Sequence, residues 1–223
     1  MKIAELFYSI QGEGSLVGVP SFFIRTTGCN LRCAWCDTPY TSWQPEGTEM
    51  PLDRILDEVG GHPARHVVVT GGEPMIAPEI LPLCERLHDS GYHITIETAG
   101  TVFQPVQCDL MSISPKLANS TPEGRFAAQH ERLRINRSAL SELIARYEYQ
   151  LKFVIEKPGD LEEARELVRA LSANPERVVL MPEGTDPERL HERALWLAEL
   201  CKEEGYRFSP RLHVDLYGNR RGV

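Results

Sequence analysis

The sequence predicts an α/β protein in which helices cover a parallel sheet, and three observations support this fold class. Apolar segments rich in β-branched residues alternate along the chain with segments whose apolar residues recur at helical spacing. The apolar segments are nearly continuous, which is typical of strands buried on both faces. Turns that contain glycine or proline follow many of them. With right-handed crossovers, such a chain forms either a barrel or a doubly wound sheet.

The predicted strands share runs of valine, isoleucine, leucine and phenylalanine. In chain order they span residues 21–26, 66–70, 93–98, 109–114, 150–156, 177–181 and 212–216. The predicted helices carry apolar stripes at helical spacing, and they span residues 52–59, 78–90, 160–172 and 187–204. Residues 118–137 are polar, and we predict an irregular segment there.

The composition is that of a globular protein that binds neither nucleic acid nor membranes. A length of 223 residues suits one domain, residues 1–223, with a sizeable core. Lys and Arg total 24 against 32 Asp and Glu, and the resulting net charge of −8 argues against binding to phosphate backbones or anionic lipids. No apolar run reaches the roughly 18 residues of a membrane span. The first residues lack the pattern of a secretory signal, so we expect a cytoplasmic protein.

Three of the six cysteines lie in one short loop, with the spacing C-x3-C-x2-C from Cys29 through Cys33 to Cys36. Three thiolates are one ligand short of a structural zinc site. They suit a 4Fe–4S cluster that leaves one iron without a protein ligand. A zinc site with a distant fourth ligand and reduced thiols in a turn remain as alternatives. We assign no cluster role to the scattered cysteines, which are Cys84, Cys108 and Cys201.

Polar or glycine-rich turns follow five of the predicted strands. Because the carboxyl ends of parallel strands meet at one edge of a sheet, turns of this kind fit one shared site. They span residues 29–36, 70–74, 97–100, 114–116 and 181–184.

Two of these turns resemble the motifs of the radical S-adenosylmethionine superfamily. One is the cysteine loop, with Trp35 directly before its last cysteine, and the other is the Gly71-Gly72-Glu73-Pro74 turn. The resemblance implies a partial (incomplete) parallel β/α barrel with a 4Fe–4S cluster on the loop cysteines. It also implies that the open iron binds S-adenosylmethionine, whose reductive cleavage gives a radical that abstracts a hydrogen atom.

Further segments resemble the 7-carboxy-7-deazaguanine synthase family. They are residues 10–14 (Ile-Gln-Gly-Glu-Gly), Arg25, residues 36–38 (Cys-Asp-Thr), Thr70, residues 97–98 (Glu-Thr), residues 114–116 (Ser-Pro-Lys) and the ending at residues 218–223. This resemblance implies a lyase that converts 6-carboxy-5,6,7,8-tetrahydropterin to 7-carboxy-7-deazaguanine with loss of ammonia. The reaction lies on the route to 7-deazapurines such as queuosine.

The resemblance also implies which residues contact S-adenosylmethionine. They are Trp35, Asp37, Gly71, Gly72, Glu73, Glu97, Ser114, Pro115, Lys116, Met181 and Pro182. Glu73 is expected to accept from the ammonium group, and Lys116 is expected to face the carboxylate. The alternatives are a Glu73 in the first turn of the next helix, a solvated Lys116 and a Met181 packed in the core.

The implied pterin contacts are Ile10, Gln11, Gly12, Glu13, Arg25 and Thr70. An amide, a carboxylate and free backbone groups suit the edge of a pterin. The guanidinium of Arg25 suits the substrate carboxylate, and Thr38 is implied as a ligand of Mg²⁺, which prefers oxygen. The alternatives are an ordinary glycine turn at residues 11–13, a solvent-facing Arg25 and a Thr38 that caps the turn after the cysteine loop.

Two other functions share parts of this pattern. An activase that installs a glycyl radical on a partner protein would carry the superfamily motifs, but residues 11–13 with Arg25 argue for a small acidic pterin. A non-catalytic iron–sulfur or zinc-binding module does not require the turns at residues 71–74 (Gly-Gly-Glu-Pro) and 114–116 (Ser-Pro-Lys).

The resemblance further implies an electron donor such as a flavodoxin, a homodimer and no direct contact with nucleic acid. No histidine pair has metal-ligand spacing, and we assign no histidine to catalysis, although His213 near the C-terminus is a candidate to approach the substrate.

Overall fold

The computed structural model describes residues 1–223, and its central feature is one nine-stranded sheet. The strands are β1 (Lys2–Ile10), β2 (Pro20–Thr26), β3 (Thr48–Glu49), β4 (His66–Gly71), β5 (His93–Thr98), β6 (Leu110–Ile113), β7 (Tyr149–Ile155), β8 (Val178–Pro182) and β9 (Arg207–Phe208). Their order is β3-β1-β2-β4-β5-β6-β7-β8-β9.

The sheet is mostly parallel and open. Strand β1 runs antiparallel to both of its neighbours, and every pair from β2 to β9 is parallel. The outermost strands β3 and β9 do not pair with each other, so the sheet curls without closing. The predicted partial β/α barrel is thereby confirmed.

The four predicted helices are confirmed, with ends shifted by no more than two residues. The longest begins after Asp186, whose side chain accepts from the backbone N–H of Arg189, and ends at Gly205 in the left-handed conformation. No helix combines the length and the apolar character needed to cross a bilayer. The helices are α1 (Pro39–Ser42), α2 (Leu52–Gly60), α3 (Ile80–Asp89), α4 (Ala127–Leu133), α5 (Arg137–Arg146), α6 (Asp160–Leu171), α7 (Pro187–Glu204) and α8 (Leu212–Tyr217).

Alternate residues of the parallel strands face two environments, because successive side chains of a strand point to opposite faces. One set packs in the main core and includes Val67, Val69, Ile94, Ile96, Met111, Leu151, Phe153 and Leu180. The other set lines a cavity inside the barrel and includes Val68, Thr70, Glu97, Lys152, Val154 and Met181. The polar residues of several strands therefore share the inner face.

The prediction of a strand at residues 212–216 is wrong, because this segment is helix α8. Its apolar residues alternate with polar ones, as they would in a strand. Of those apolar residues, Val214 is buried, whereas Leu216 is 56% exposed. The sheet ends at β9, and residues 212–216 pair with none of its strands.

The prediction for residues 118–137 holds only in part. This segment contains two turns of 3-10 helix, then α4 and the first residue of α5. The sequence analysis also missed β1. The register of β1 against β2 shifts between Ile3 and Glu5, and this irregularity interrupts the alternation by which a half-buried strand is detected.

Candidate active site

One cavity at the carboxyl ends of the parallel strands contains most of the predicted site. Three of the predicted residues, namely Glu73, Pro115 and Pro182, do not line this cavity. The predicted residues that do line it are Ile10, Gln11, Gly12, Glu13, Arg25, Cys29, Cys33, Trp35, Cys36, Asp37, Thr38, Thr70, Gly71, Gly72, Glu97, Ser114, Lys116 and Met181.

Hydrogen bonds that the cysteine loop accepts and donates hold it in place. The guanidinium of Arg32 donates to the carbonyl of Cys29 at 2.7 Å. The indole N–H of Trp43 donates to the carbonyl of Cys33 at 3.1 Å. The indole N–H of Trp35 anchors the same loop to the carbonyl of Asn119 at 3.0 Å. These contacts with Arg32, Trp43 and Asn119 fix the conformation of the loop.

The three thiols are better suited to a cluster than to one metal ion. Tetrahedral zinc holds its sulfur ligands about 2.3 Å away, hence roughly 4 Å from one another. No three thiol, imidazole or carboxylate groups in residues 1–223 are arranged to hold a single ion. A 4Fe–4S cluster binds each thiolate through a different iron, which lets the three sulfurs lie further apart. Three thiol donors on one loop therefore fit the cluster.

Burial raises the pKa of the Cys29 thiol to about 11 and that of Cys33 to about 12. Cluster assembly must therefore displace protons from these thiols. The other three cysteines lie in a different environment. Cys84 and Cys201 are part of the main core, and Cys108 packs against it.

The two glycines of the Gly71-Gly72 turn allow β4 to approach the cysteine loop. Gly71 has a φ of +143°, where a side chain would be strained. A Cβ on Gly72 would lie 2.1 Å from the carbonyl oxygen of Gly28, next to Cys29. The backbone N–H of Glu73 donates to that same carbonyl at 2.9 Å. The motif thus packs the turn after β4 against the start of the cysteine loop.

Glu73 braces the end of β5 and does not line the cavity. Its carboxylate accepts from the hydroxyl of Thr98 at 2.6 Å and from the backbone N–H groups of Ala99 at 2.8 Å and Met75 at 3.1 Å. Burial raises the pKa of this carboxyl despite those bonds. The predicted contact with an ammonium group stays a prediction.

Lys116 points toward the cysteine loop and not into solvent. Its ammonium donates to the hydroxyl of Ser114 at 2.8 Å and lies 5.7 Å from the ring centre of Trp35. A cation beside the loop suits an anionic group of a ligand in the cavity. Met181 is buried and also lines the cavity, so its packing and its predicted ligand contact are compatible.

The segment after β1 crosses the inside of the barrel to reach β5 and β7. The amide of Gln11 donates to Glu97 at 3.3 Å. The carboxylate of Glu13 accepts from Lys152 at 2.6 Å and from Arg211 at 3.1 Å. Burial opposes ionisation of Glu13, but these two cations outweigh it and hold the pKa of the carboxyl well below its usual range.

The sequence analysis missed Lys152 and Arg211. Lys152 has a sequence signal, because it is the one charged residue inside the apolar strand Tyr149–Ile155, all of which is buried. Arg211 has no such signal. It follows the last strand, and its guanidinium reaches Asp37, Glu13 and the carbonyl of Gly184 through the tertiary fold. The C-terminal residues 218–223 also line the cavity.

Arg25 is held in the wall of the cavity by an ion pair. Its Nε lies 2.7 Å from Oε2 of Glu5, which also accepts from the hydroxyl of Tyr40 at 2.8 Å. The guanidinium lies 5.4 Å from the ring centre of Phe7. The side chain is 18% exposed, so the solvent-facing alternative does not describe it.

Thr38 lines the cavity two residues after Cys36. It precedes α1, but its hydroxyl makes no capping bond to the helix backbone. Its hydroxyl oxygen lies 3.4 Å from that of Thr41. The Thr38 hydroxyl therefore does not cap the turn. Its oxygen lies at the cavity wall.

His213 also lines the cavity. A Cβ on Gly12 would lie 2.0 Å from Nδ1 of His213, so the two segments touch because residue 12 is a glycine. Burial lowers the pKa of this imidazole.

Three comparisons with known proteins each find proteins similar to this chain. A family model described as the Radical SAM superfamily matches residues 23–117, which include the cysteine loop and the Gly71-Gly72 turn. A protein named 7-carboxy-7-deazaguanine synthase from Rhodopirellula baltica is 45% identical over 100% of this chain and 89% of its own. One of the same name from Halobacterium salinarum is 45% identical over 98% of this chain and 91% of its own. The crystal structure of QueE from Escherichia coli matches with a TM-score of 0.70 at 29% identity, covering 95% of this chain and 94% of that chain.

The partial barrel and the matched superfamily model define a radical S-adenosylmethionine enzyme, whose cofactors are a 4Fe–4S cluster and S-adenosylmethionine. The full-length identities are more specific than the superfamily match. The chain belongs to the 7-carboxy-7-deazaguanine synthase family, and it is a lyase.

Proposed function

We propose that this enzyme converts 6-carboxy-5,6,7,8-tetrahydropterin to 7-carboxy-7-deazaguanine and ammonia. One observation carries the proposal. A single cavity is lined both by the three loop cysteines and by residues 11–13 with Arg25. A cofactor at the loop and a pterin at residues 11–13 would therefore share one cavity.

Cys29, Cys33 and Cys36 would hold the cluster, and Lys116 with Ser114 would face the anionic end of S-adenosylmethionine. When bound, the cofactors supply a radical that removes a hydrogen atom from the substrate. The chain's own residues bind and orient the reactants and keep water from the reacting centre.

The pterin would be oriented by Gln11, Glu13 and Arg25. Glu13 is held ionised by its two cations, so it acts as an acceptor for the N–H donors of a pterin edge. The guanidinium of Arg25 suits the substrate carboxylate. Thr70, Gly12 and Ile10 would complete the wall around the ring.

Three further features belong to this proposal. Residues 1–223 act as one domain, supported by the continuous sheet and a main core that its strands and helices share. The short segments before β2 and after β9 complete the substrate site. We also propose a flavodoxin-type electron donor, a homodimer, a cytoplasmic location and no direct contact with nucleic acid, consistent with the acidic net charge of −8.

The direct test is an anaerobic reaction of cluster-loaded protein with reductant, S-adenosylmethionine and the carboxy-tetrahydropterin. Mass spectrometry is expected to detect 7-carboxy-7-deazaguanine. Cleavage of S-adenosylmethionine with full recovery of the pterin would contradict the proposed substrate while leaving the enzyme class intact.

Arg25→Ala is expected to weaken pterin binding. A hydrogen bond between charged groups contributes about 1.5–3 kcal/mol, which corresponds to roughly ten- to hundredfold in Kd. Cluster content and substrate-free cleavage of S-adenosylmethionine should persist. The measurement is equilibrium binding of the pterin. Glu5→Gln is the matched control, because it removes the ion pair but keeps the guanidinium. Parental affinity of the Arg25→Ala protein for the pterin would show that Arg25 has only a structural role in β2.

Thr38 is proposed as a ligand of Mg²⁺ that orients the substrate and offsets negative charge on its oxygens. Thr38→Val keeps the side-chain shape but removes the oxygen, so it is expected to flatten the response of activity to Mg²⁺. Thr38→Ser should keep much of that response. Activity per cluster is measured against Mg²⁺ concentration for the three proteins, and parallel curves would end the metal-ligand proposal.

A further inference from the structure

Lys152 is a buried cation shared between two parts of the cavity. Its side chain is 3% exposed, and its ammonium lies 2.6 Å from Glu13 and 3.1 Å from Glu97. Removing an ammonium group from water is costly, and the cost is offset only when charged partners are well placed. Both carboxylates are therefore needed to stabilise the buried ammonium of Lys152.

The two carboxylates belong to different binding regions. Glu13 is on the segment after β1 that we propose contacts the pterin. Glu97 is on β5, at the position implied for a contact with S-adenosylmethionine. Glu97 also accepts from Gln11 at 3.3 Å and from the hydroxyl of Ser112 at 2.9 Å. Lys152 is thus the ammonium that joins the substrate segment to the cofactor strand.

The attachment of the substrate segment to the barrel does not depend on Lys152. The backbone N–H of Ser15 donates to the side chain of Gln150 at 2.8 Å, and that of Gly14 donates to the hydroxyl of Ser209 at 2.7 Å. Removal of the ammonium would therefore leave the segment attached. What it would remove is the shared charge between Glu13 and Glu97.

We propose that Lys152 is a positioning residue that couples the binding of the pterin to the binding of S-adenosylmethionine. The inference rests on the proposed function. A ligand that hydrogen-bonds to the carboxylate of Glu13 changes the ion pair between Glu13 and Lys152. The interaction of the same ammonium with Glu97 changes in turn, and with it the position of the Glu97 carboxylate for the other ligand. The coupling is reciprocal, because each ligand must change the affinity of the other by the same factor.

The test measures binding in the absence of reductant, so no turnover occurs. The Kd of S-adenosylmethionine for cluster-loaded protein is determined with and without saturating carboxy-tetrahydropterin, and the reverse experiment is then performed. In the parent protein each ligand is expected to tighten the other about fivefold or more. Lys152→Met is expected to bring this ratio close to one. Lys152→Arg, which keeps the positive charge between the carboxylates, should restore most of it.

Arg165→Met is the control for the loss of a cation outside the cavity. Arg165 pairs with Glu204 between α6 and α7, and its replacement should leave the coupling ratio unchanged. If Lys152→Met does not fold, Lys152→Gln carries the same expectation. A parental coupling ratio in the folded neutral variant, or a ratio of one in the parent, overturns the inference alone. Failure of the parent to bind the pterin refutes the proposed function, and the inference with it.

Discussion

Replacement of Cys29, Cys33 or Cys36 by Ala, one at a time, is expected to abolish the iron–sulfur cluster. Each variant removes one of three protein ligands, and none of the remaining cysteines lies on the cavity to replace it. The broad visible absorption of reconstituted protein and its iron content per folded chain should both fall to background. Cleavage of S-adenosylmethionine should be lost with them.

The matched controls are the three cysteines outside the cavity. Cys84→Ala, Cys108→Ala and Cys201→Ala should retain the full iron content, although the two core variants leave small cavities and lower stability by about 1 kcal/mol. Iron is therefore normalised to folded protein by circular dichroism. A Cys108 variant that loses the cluster would contradict the assignment, because it would indicate a fourth cysteine ligand.

Gly72→Ala is expected to have the second-largest effect. The new Cβ would meet the backbone carbonyl of Gly28 at 2.1 Å, and neither backbone can yield without displacing the loop that begins at Cys29. Overpacking of this kind costs about 1–3 kcal/mol, or a fall in Tm of roughly 2–12 °C for a domain of this size. Cluster content after reconstitution should fall as well.

Gly60→Ala is the control for the loss of a glycine. Gly60 is in α2, and a Cβ there meets no atom within 4 Å. Alanine favours the helix, so this variant should have an unchanged or slightly higher Tm. If Gly72→Ala retained both the parental Tm and the parental iron content, the close approach of the two loops would not require a glycine at residue 72.

The features that the sequence predicted best are those with a local cause. The apolar run at residues 66–70 and the turn that follows it depend on neighbouring residues, so both the strand and the place of Gly71 and Gly72 could be read from the pattern. The cysteine loop is local in the same sense, because its three thiols lie within eight positions. The site at one edge of the sheet then followed from parallel pairing.

The features that escaped prediction are those that depend on contacts distant in sequence. Arg211 bonds to Asp37 and Glu13, and no pattern near residue 211 indicates those partners. Glu73 accepts from the hydroxyl of Thr98 and from the backbone N–H of Ala99, and no pattern near residue 73 indicates those partners. Residues 212–216 alternate like a strand, yet they form helix α8 after the edge strand β9, and the local pattern does not indicate this.

The proposed reaction has a mass balance that tests it directly, since substrate and product differ only by ammonia. The measurement is the amount of ammonium and of 7-carboxy-7-deazaguanine formed anaerobically by cluster-loaded protein with reductant, S-adenosylmethionine and the carboxy-tetrahydropterin. We expect the two products in equal amounts, with neither formed when S-adenosylmethionine is omitted. Cleaved S-adenosylmethionine alongside unchanged pterin and no ammonium would contradict the proposed function.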